Sequence, residues 1–156
     1  MDVDGVLTDG TFIWGASGEE LKRFCFRDVT GIALARTAGI HIALISGESS
    51  PDGMGLVQRF ADKLGITAVF KGRRDKALAL REFAVAYRIE LGAVLFIGDD
   101  VIDLEAMSLA GMSAAPADAH ASVLARADFV TRLPGGCGAV REVLDLLIGH
   151  RGRVEP

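Results

Sequence analysis

The sequence predicts an α/β fold, a three-layer sandwich built on a Rossmann-like parallel sheet. The first observation is a series of short apolar runs that are nearly continuous rather than alternating, as expected for strands buried on both faces. The second is that segments with helical periodicity lie between these runs, which indicates βαβ units with right-handed crossovers. The predicted strands are residues 41–46, 66–70, 93–98, 111–116 and 128–131.

Two of the intervening segments have apolar side chains at the i, i+3, i+4, i+7 spacing of an amphipathic helix. We expect these side chains to pack in the core rather than to contact a cofactor. They are Leu80, Phe83, Ala84 and Tyr87 in one segment, and Val140, Val143, Leu144 and Leu147 in the other.

The segment at residues 11–26 breaks this alternation. Its sequence, TFIWGASGEELKRFCF, has two apolar stretches around a turn that contains glycine, a pattern typical of a β-hairpin. We expect the hairpin to project from the sheet over whatever lies after Asp9. The alternative is a hairpin that folds back onto its own sheet.

Composition limits the domain count, the compartment and the partners. With 156 residues, half of them hydrophobic, the chain can form one domain without disulfides, and we expect this domain at residues 1–150 and a tail at 151–156. A formal net charge of −4 and few aromatic residues argue against a nucleic-acid partner. No apolar run reaches the length of a membrane span. Cys25 and Cys137 show no CxxC spacing, which favours a reducing, cytoplasmic setting.

Polar residues follow several of the predicted strands. Open α/β sheets bind ligands outside the carboxyl ends of their strands, so we expect these residues to form the functional site. Because several carboxylates gathered at one edge require a cation, this set predicts a Mg²⁺ site. The residues are Asp2, Asp4, Ser46, Gly47, Lys76, Asp99, Asp100 and Asp103.

Spacing and residue type suggest roles for this set. Asp2 and Asp4 are two residues apart, so in an extended segment both face one bound group, where one carboxylate can attack phosphorus and the other can transfer protons. Ser46 and the amide of Gly47 are predicted to hold phosphoryl oxygens, and Lys76 is predicted to neutralise phosphoryl charge together with the metal. An isolated pair of aspartates at this spacing is more often a turn or helix cap.

Four motifs carry a resemblance to a known family. In chain order they are DVDGVLTDG, LISG, KGRRDK and FIGDDVIDLEAM. Their order resembles the haloacid dehalogenase superfamily of phosphatases across essentially the whole chain. The hairpin, together with PADAH and LPGGCGAVREVLDLL, resembles the capless subgroup whose members hydrolyse 3-deoxy-D-manno-octulosonate 8-phosphate or 2-keto-3-deoxynononate 9-phosphate.

The resemblance implies a more specific set of roles. It implies that Asp2 is the nucleophile and a metal ligand, and that Asp4 is the general acid/base and offers a backbone carbonyl to Mg²⁺. Ser46 and Lys76 are implied to bind phosphate, and Asp99 is implied to be a direct metal ligand. Asp100 and Asp103 are implied to support the metal or its waters.

The chain leaves no room for a cap domain, because one helix, one strand and a loop account for the residues between Ser46 and Lys76. A small phosphate ester would therefore lie in an open cleft unless a neighbouring subunit closes it. The resemblance implies a homotetramer in which hairpins pack together and C-terminal tails reach adjacent sites.

Three residues are candidates for substrate specificity. In the subgroup, arginine at the position of Glu48 accompanies eight-carbon substrates, whereas glutamate accompanies nine-carbon acids such as 2-keto-3-deoxynononate or N-acylneuraminate 9-phosphate. Lys63 matches a lysine found in the nine-carbon group. Arg73 can raise the local potential for an anionic substrate. The alternatives are that Glu48 is a solvated loop residue and that Arg73 belongs to an exposed turn.

The beginning of the sequence departs from the expected pattern. A nucleophile in this fold stands at the carboxyl end of a central strand, yet only Met1 precedes Asp2. We therefore expect that a strand of about five residues is missing and that the natural start lies upstream.

Three function classes remain open. The leading hypothesis is a Mg²⁺-dependent phosphatase of ulosonic or nonulosonic acid phosphates that serves the synthesis of surface sugars such as lipopolysaccharide or sialic acid. The second is a catalytically weak module, associated with a cytidylyltransferase or acting as an assembly unit. The third is a signalling receiver domain, which has no need of Asp4 or of the late GDDxxD motif.

Overall fold

A computed structural model describes residues 1–151, without the side chains of residues 150 and 151. Short strands separated by helices make up this range. The strands are β1 (Ile13–Trp14), β2 (Glu20–Leu21), β3 (Ala43–Ile45), β4 (Ala68–Phe70), β5 (Leu95–Ile97), β6 (Met112–Ala115) and β7 (Phe129–Val130). The helices are α1 (Phe26–Thr37), α2 (Pro51–Leu64), α3 (Lys76–Tyr87), α4 (Leu104–Leu109), α5 (Ala121–Leu124) and α6 (Ala139–Arg151). Single 3₁₀ turns at Leu91–Ala93 and Val101–Asp103 flank β5.

The central sheet is parallel, and residues 1–3 lie in its middle. Strand β3 pairs with β4, and β5 pairs with β6, which pairs with β7, all in parallel. The amino group of Met1 donates to the carbonyl of Ala43, and the amide of Ile45 donates to the carbonyl of Met1, both at 2.9 Å. On the other side, the amide of Asp2 donates to the carbonyl of Ile97 at 2.9 Å. The order across the sheet is therefore β4, β3, residues 1–3, β5, β6 and β7.

The two faces of this sheet pack against different helices, which gives the three predicted layers. Neighbouring strand residues point to opposite faces, so Leu44 and Ile97 join one apolar cluster while Ile45 and Phe96 join the other. The first cluster contains side chains of α1, α2 and α6, and the second contains side chains of α3, α4 and α5. The predicted three-layer α/β sandwich with a parallel sheet is confirmed.

All five predicted strands are present, and each is shorter than the apolar run that predicted it. The run at 41–46 gives β3 at Ala43–Ile45, and the run at 93–98 gives β5 at Leu95–Ile97. An apolar run reports burial, whereas a strand also requires a paired neighbour at each position. At the ends of these runs, Ile42 and Val94 pack in the core outside the assigned strands, whereas His41 and Ala93 are exposed.

The hairpin projects from the sheet, as its sequence predicts. Strands β1 and β2 pair with each other in antiparallel fashion, and Phe12 and Trp14 are 67% and 74% exposed. The predicted range 11–26 is one residue too long, because Phe26 begins α1 after the extended residue Cys25.

Helix α6 continues through Arg151, the first residue of the predicted tail. The remainder of the predicted tail, residues 152–156, lies outside the described residues. Within residues 1–151, none of the helices combines the length and apolar character that a membrane crossing requires.

An apolar cleft of about 560 Å³ opens near the amino-terminal ends of β3 and β5, at the end of the sheet away from the predicted site. Its walls come from both strands and from α3 and α6. They include Leu80, Phe83, Val94, Leu95, Leu144 and Leu147. The apolar lining and the location separate this cleft from the carboxylates at the other edge.

Asp28 joins α1 to the beginning of α6. Its carboxylate is 1% exposed and accepts hydrogen bonds from the amides of Gly138, at 3.1 Å, and Arg141, at 2.8 Å. These amides lie at the amino terminus of α6 and have no partner within the helix. Burial raises the pKa of Asp28, although the hydrogen bonds from the α6 backbone oppose this shift.

We expect Asp28→Ala to lower the free energy of unfolding by about 1–3 kcal/mol, because it leaves buried amides without an acceptor. Urea unfolding followed by circular dichroism measures this change. The control is Asp145→Ala, which removes an exposed carboxylate paired with Arg141 and should cost less than about 0.5 kcal/mol. Equal losses in the two variants would contradict the capping role of Asp28.

Candidate active site

Lys76 lies at the centre of the polar cluster at the carboxyl edge of the sheet. Lys76 is 2% exposed, and its Nζ atom lies 2.8 Å from Oδ1 of Asp2 and 2.6 Å from Oδ1 of Asp103. Lys76 is the first residue of α3, which Asp75 caps by accepting a hydrogen bond from the amide of Leu78. Helix α3 therefore begins at the point that places this ammonium between two carboxylates.

Three carboxylates of the predicted set come together beside Lys76. One oxygen each from Asp2, Asp99 and Asp103 lies within 4.8 Å of the others. Oδ1 of Asp99 is buried and accepts no hydrogen bond from any residue in the described range. A Cβ atom at Gly5, which has a φ of +90°, would overlap the Asp99 carboxylate. This close array of oxygen donors, one of them unpartnered, fits a hard divalent cation such as Mg²⁺.

Asp103 and Asp100 make different contacts. Oδ2 of Asp103 accepts hydrogen bonds from the amides of Asp99, at 3.0 Å, and Asp100, at 3.2 Å, while Oδ1 accepts from Lys76. Asp103 therefore fixes the loop that carries Asp99. Asp100 is exposed, and its Oδ1 accepts from the amide of Val101 at 2.7 Å. The structure brings Asp103 into the carboxylate cluster and leaves Asp100 at its edge as a cap of the 3₁₀ turn.

Burial makes the ionised state of Asp2 and Asp99 costly. It raises the pKa of Asp2 to about 6 despite the opposing charge of Lys76. It raises the pKa of Asp99 to about 8, and the neighbouring charges of Asp2 and Asp103 add to this shift. Burial alone would lower the pKa of Lys76, but the carboxylates of Asp2 and Asp103 raise it above its usual value. Lys76 therefore stays charged, while Asp2 and Asp99 require a further cation to ionise fully.

Asp4 lies next to the cluster and contacts the hairpin. Its side chain is 39% exposed, and its Oδ1 lies 2.5 Å from Nζ of Lys22, the residue that follows β2. Asp2 is buried, whereas Asp4 is partly exposed, so the two aspartates have different environments, as their predicted separate roles require.

Ser46 and Gly47 follow β3 at the same edge. Ser46 is fully buried, its amide donates to the carbonyl of Phe70 at 2.8 Å, and its Oγ accepts from the amide of Glu48 at 3.1 Å. A Cβ atom at Gly47 would meet nothing within 4 Å, so the space beside its backbone is open. This opening leaves room for a phosphoryl group beside Ser46 and Gly47.

Glu48 is held in a fixed position. Its side chain is 13% exposed, Oε1 accepts from the amide of Ser50 at 2.7 Å, and Oε2 lies 3.9 Å from Nζ of Lys22. Burial would raise the pKa of Glu48, but hydrogen bonds from Ser50 and the charge of Lys22 lower it. These contacts argue against the alternative of a solvated loop residue.

The structure does not bring the other two specificity candidates to the cluster. Nζ of Lys63 lies 5.9 Å from the centroid of the Phe26 ring, and within residues 1–151 it makes no ion pair with Glu48. The guanidinium of Arg73 contacts Glu82 in α3 at 2.9 Å, while its backbone amide donates to the carbonyl of Ser46. In this structure, Arg73 contributes to the site through its backbone.

Sequence reasoning missed Lys22 and Glu20. Both come from the return strand of the hairpin, and Nζ of Lys22 lies 3.7 Å from Oε1 of Glu20. The signal that could have found them is the alternation in EELKRF, which places Glu20, Lys22 and the apolar Phe24 on one face of an extended segment.

We expect Mg²⁺ binding to release protons near neutral pH. In the metal-free protein the Asp99 carboxyl is protonated below a pKa of about 8 and the Asp2 carboxyl below a pKa of about 6. Because the cation binds the ionised form, its apparent affinity should rise with pH between these values and level off above them. Calorimetry at pH 7 in two buffers of different ionisation enthalpy should detect release of about one proton.

Asp99→Asn is the control for this measurement, since it removes the carboxyl with the higher pKa and should abolish most of the release. A Mg²⁺ affinity that does not change across this pH range would contradict the linkage.

Comparisons with known proteins agree with this geometry. The family model described as haloacid dehalogenase-like hydrolase matches residues 32–143. The chain is 43% identical to 3-deoxy-D-manno-octulosonate 8-phosphate phosphatase KdsC of Escherichia coli K12, over 99% of this chain and 80% of the relative.

Two solved structures are similar over nearly the whole chain. The 3-deoxy-D-manno-octulosonate 8-phosphate phosphatase of Yersinia pestis is 42% identical with a TM-score of 0.92, covering 98% of this chain and 80% of that one. The corresponding enzyme of Moraxella catarrhalis, solved in complex with a magnesium ion, a phosphate ion and a KDO molecule, is 38% identical with a TM-score of 0.90, covering 96% and 83%. The predicted family and enzyme class are confirmed: the chain belongs to the haloacid dehalogenase-like hydrolases.

Proposed function

We propose that this protein is a Mg²⁺-dependent phosphatase that removes the terminal phosphate of 3-deoxy-D-manno-octulosonate 8-phosphate. The observation that carries the proposal is the buried cluster of Asp2, Asp99 and Asp103 around Lys76, beside the open space at Gly47. The eight-carbon substrate is supported by relatives that bear this activity in their names.

The residues of the cluster are assigned the roles that the family resemblance implies. Asp2, Asp99 and the backbone carbonyl of Asp4 would hold the metal, with Asp100 and Asp103 supporting it or its waters. Ser46, the amide of Gly47 and Lys76 would bind the phosphoryl group. A bound Mg²⁺ supplies charge neutralisation to the carboxylates and to the phosphate.

The reaction proceeds through a covalent aspartyl phosphate. A carboxylate oxygen of Asp2 attacks phosphorus, the ester P–O bond breaks, and the leaving oxygen takes a proton from Asp4. Water then attacks phosphorus and gives a proton to Asp4. The bond between the Asp2 oxygen and phosphorus breaks, which releases inorganic phosphate and restores the free carboxylate of Asp2. Lys76, at 2.8 Å from Asp2, favours the ionised form that attacks and stabilises charge on the transferring group.

A nine-carbon acid phosphate is the second candidate substrate, because of Glu48. This carboxylate is ordered beside the site by Ser50 and Lys22 and can accept hydrogen bonds from substrate hydroxyls. Arginine at this position would instead favour a substrate carboxylate.

We also propose that residues 1–150 act as one capless domain within a cytoplasmic homotetramer. The exposed Phe12 and Trp14 of the hairpin support an association surface, since apolar side chains of this size are costly to leave in water. The cysteines, Cys25 and Cys137, are free, which fits a reducing compartment.

We expect the wild-type protein with Mg²⁺ to release phosphate from 3-deoxy-D-manno-octulosonate 8-phosphate, and Asp2→Asn to lower kcat at least about 1,000-fold because an amide cannot act as the nucleophile. Phosphate release measures both, and 2-keto-3-deoxynononate 9-phosphate and N-acetylneuraminate 9-phosphate are compared alongside. Asp62→Asn, an exposed carboxylate on α2, is the matched control and should keep wild-type turnover. No release from any of the three substrates would contradict the proposal and favour the non-hydrolytic module.

Replacing Glu48 by arginine should raise the ratio of kcat/KM for the eight-carbon substrate over the nine-carbon substrates by about tenfold, because it removes an acceptor for hydroxyls of the longer acids while arginine can pair with the carboxylate that all three carry. The matched variant Glu48→Gln keeps the shape and removes the charge, so it separates hydrogen bonding from charge. If both variants leave the ratio unchanged, Glu48 has no part in substrate choice.

A further inference from the structure

Lys22 is a buried cation that none of the assigned roles uses. Its side chain is 3% exposed, and its Nζ atom lies 2.5 Å from Oδ1 of Asp4, 3.7 Å from Oε1 of Glu20 and 3.9 Å from Oε2 of Glu48. Three carboxylates thus surround one ammonium at the mouth of the site.

The chain around Lys22 is held on both sides. Lys22 follows β2, and two residues later Phe24 stacks on Phe60 of α2 with 4.0 Å between ring centroids. Arg23, between them, points outward, is 65% exposed and pairs with Asp9. The return strand therefore presents Lys22 to the site from a fixed backbone position.

The carboxylates around Lys22 need its charge. Oε1 of Glu20 is buried and has no hydrogen-bond partner among the described residues, so the ammonium at 3.7 Å is its compensating charge. Without Lys22, the carboxylates of Asp4, Glu20 and Glu48 would repel one another in a partly buried space, and a flexible side chain such as Asp4 would turn away.

We infer that Lys22 is a positioning residue that fixes the carboxyl group of Asp4 for proton transfer and couples the hairpin to the reaction. This inference rests on the proposed function, in which Asp4 is the acid/base. Lys22 donates a hydrogen bond to Oδ1 of Asp4, so Oδ2 is the oxygen that carries and transfers the catalytic proton. Oδ2 gives its proton to the ester oxygen as the P–O bond breaks and receives one from water as the aspartyl phosphate is hydrolysed.

Substrates with different leaving groups test this role. An alkoxide needs a proton as it leaves, whereas p-nitrophenolate leaves without one, so only the first depends on Asp4 during phosphorylation of the enzyme. Lys22→Met should lower the first-turnover rate with 3-deoxy-D-manno-octulosonate 8-phosphate by about 10- to 100-fold, within the contribution that acid–base catalysis makes. The first-turnover burst of p-nitrophenol should stay within about threefold of wild type for the same reason.

A double-mutant cycle separates positioning from general structural damage. If Lys22 acts through Asp4, adding Lys22→Met to Asp4→Asn should lower the first-turnover rate on the sugar phosphate by less than about threefold further. The matched control is Arg23→Met, a neighbouring cation that pairs outside the site, and it should leave both rates near wild type. Should Lys22→Met fail to fold, Lys22→Met with Glu20→Gln removes the unpaired carboxylate and allows the same comparison.

The outcomes distinguish this inference from the proposed function. If wild type hydrolyses neither substrate, the proposed function itself fails. Equal losses on both substrates, full additivity with Asp4→Asn, or unchanged rates would overturn the role of Lys22 while leaving the phosphatase in place.

Discussion

The buried ammonium of Lys76 joins three separate segments of this chain at the carboxyl edge of the sheet. It comes from the first turn of α3 and contacts Asp2 from the central residues 1–3 and Asp103 from the turn after β5. Breaking a buried ion pair on one side costs about 3–5 kcal/mol because a charge is left without a partner. Lys76 thus ties the structure together at the point where the chemistry is proposed to occur.

Close backbone approaches around this ammonium leave space for the acidic groups. The absence of a side chain at Gly5 lets the Asp99 carboxylate come close, and the absence of one at Gly98 lets Asp103 fold back onto the amides of Asp99 and Asp100. The result is a cluster in which burial raises the pKa values of Asp2 and Asp99, with an excess of negative charge that Lys76 balances only in part. This excess of negative charge favours the binding of a divalent cation, and the cation in turn neutralises the charge of an incoming phosphate group.

The sequence was sufficient to predict the fold and the central cluster because both follow from topology. Parallel strands end at one edge, so Ser46 and Asp99 had to meet there once their apolar runs were identified as strands, whereas Asp2, with only Met1 before it, was assigned to this edge from its motif. Strand lengths were less predictable, since the run at 41–46 is apolar beyond the paired residues of β3, where Ile42 packs against the cluster that contains side chains of α1, α2 and α6.

The partners of long charged side chains were beyond prediction from sequence alone. The long side chains of Lys63 and Arg73 can reach several partners. In the fold of residues 1–151, Lys63 lies over the Phe26 ring and Arg73 pairs with Glu82, and neither pairs with Glu48. The alternation in EELKRF places Lys22 on one face of the return segment, but it does not indicate that this face contacts Asp4. That contact makes the hairpin part of the site, although Phe12 and Trp14 at its tip face outward.

Chemical trapping of the covalent intermediate tests whether Asp2 is the nucleophile. Asp4→Asn should accumulate phosphorylated enzyme from p-nitrophenyl phosphate and Mg²⁺, because the leaving group needs no acid and the attacking water lacks its base. Acid quench followed by borohydride reduces an aspartyl phosphate to homoserine, which mass spectrometry of the amino-terminal peptide locates. We expect homoserine at position 2. Homoserine at another aspartate, or p-nitrophenol release without any modified residue, would contradict it.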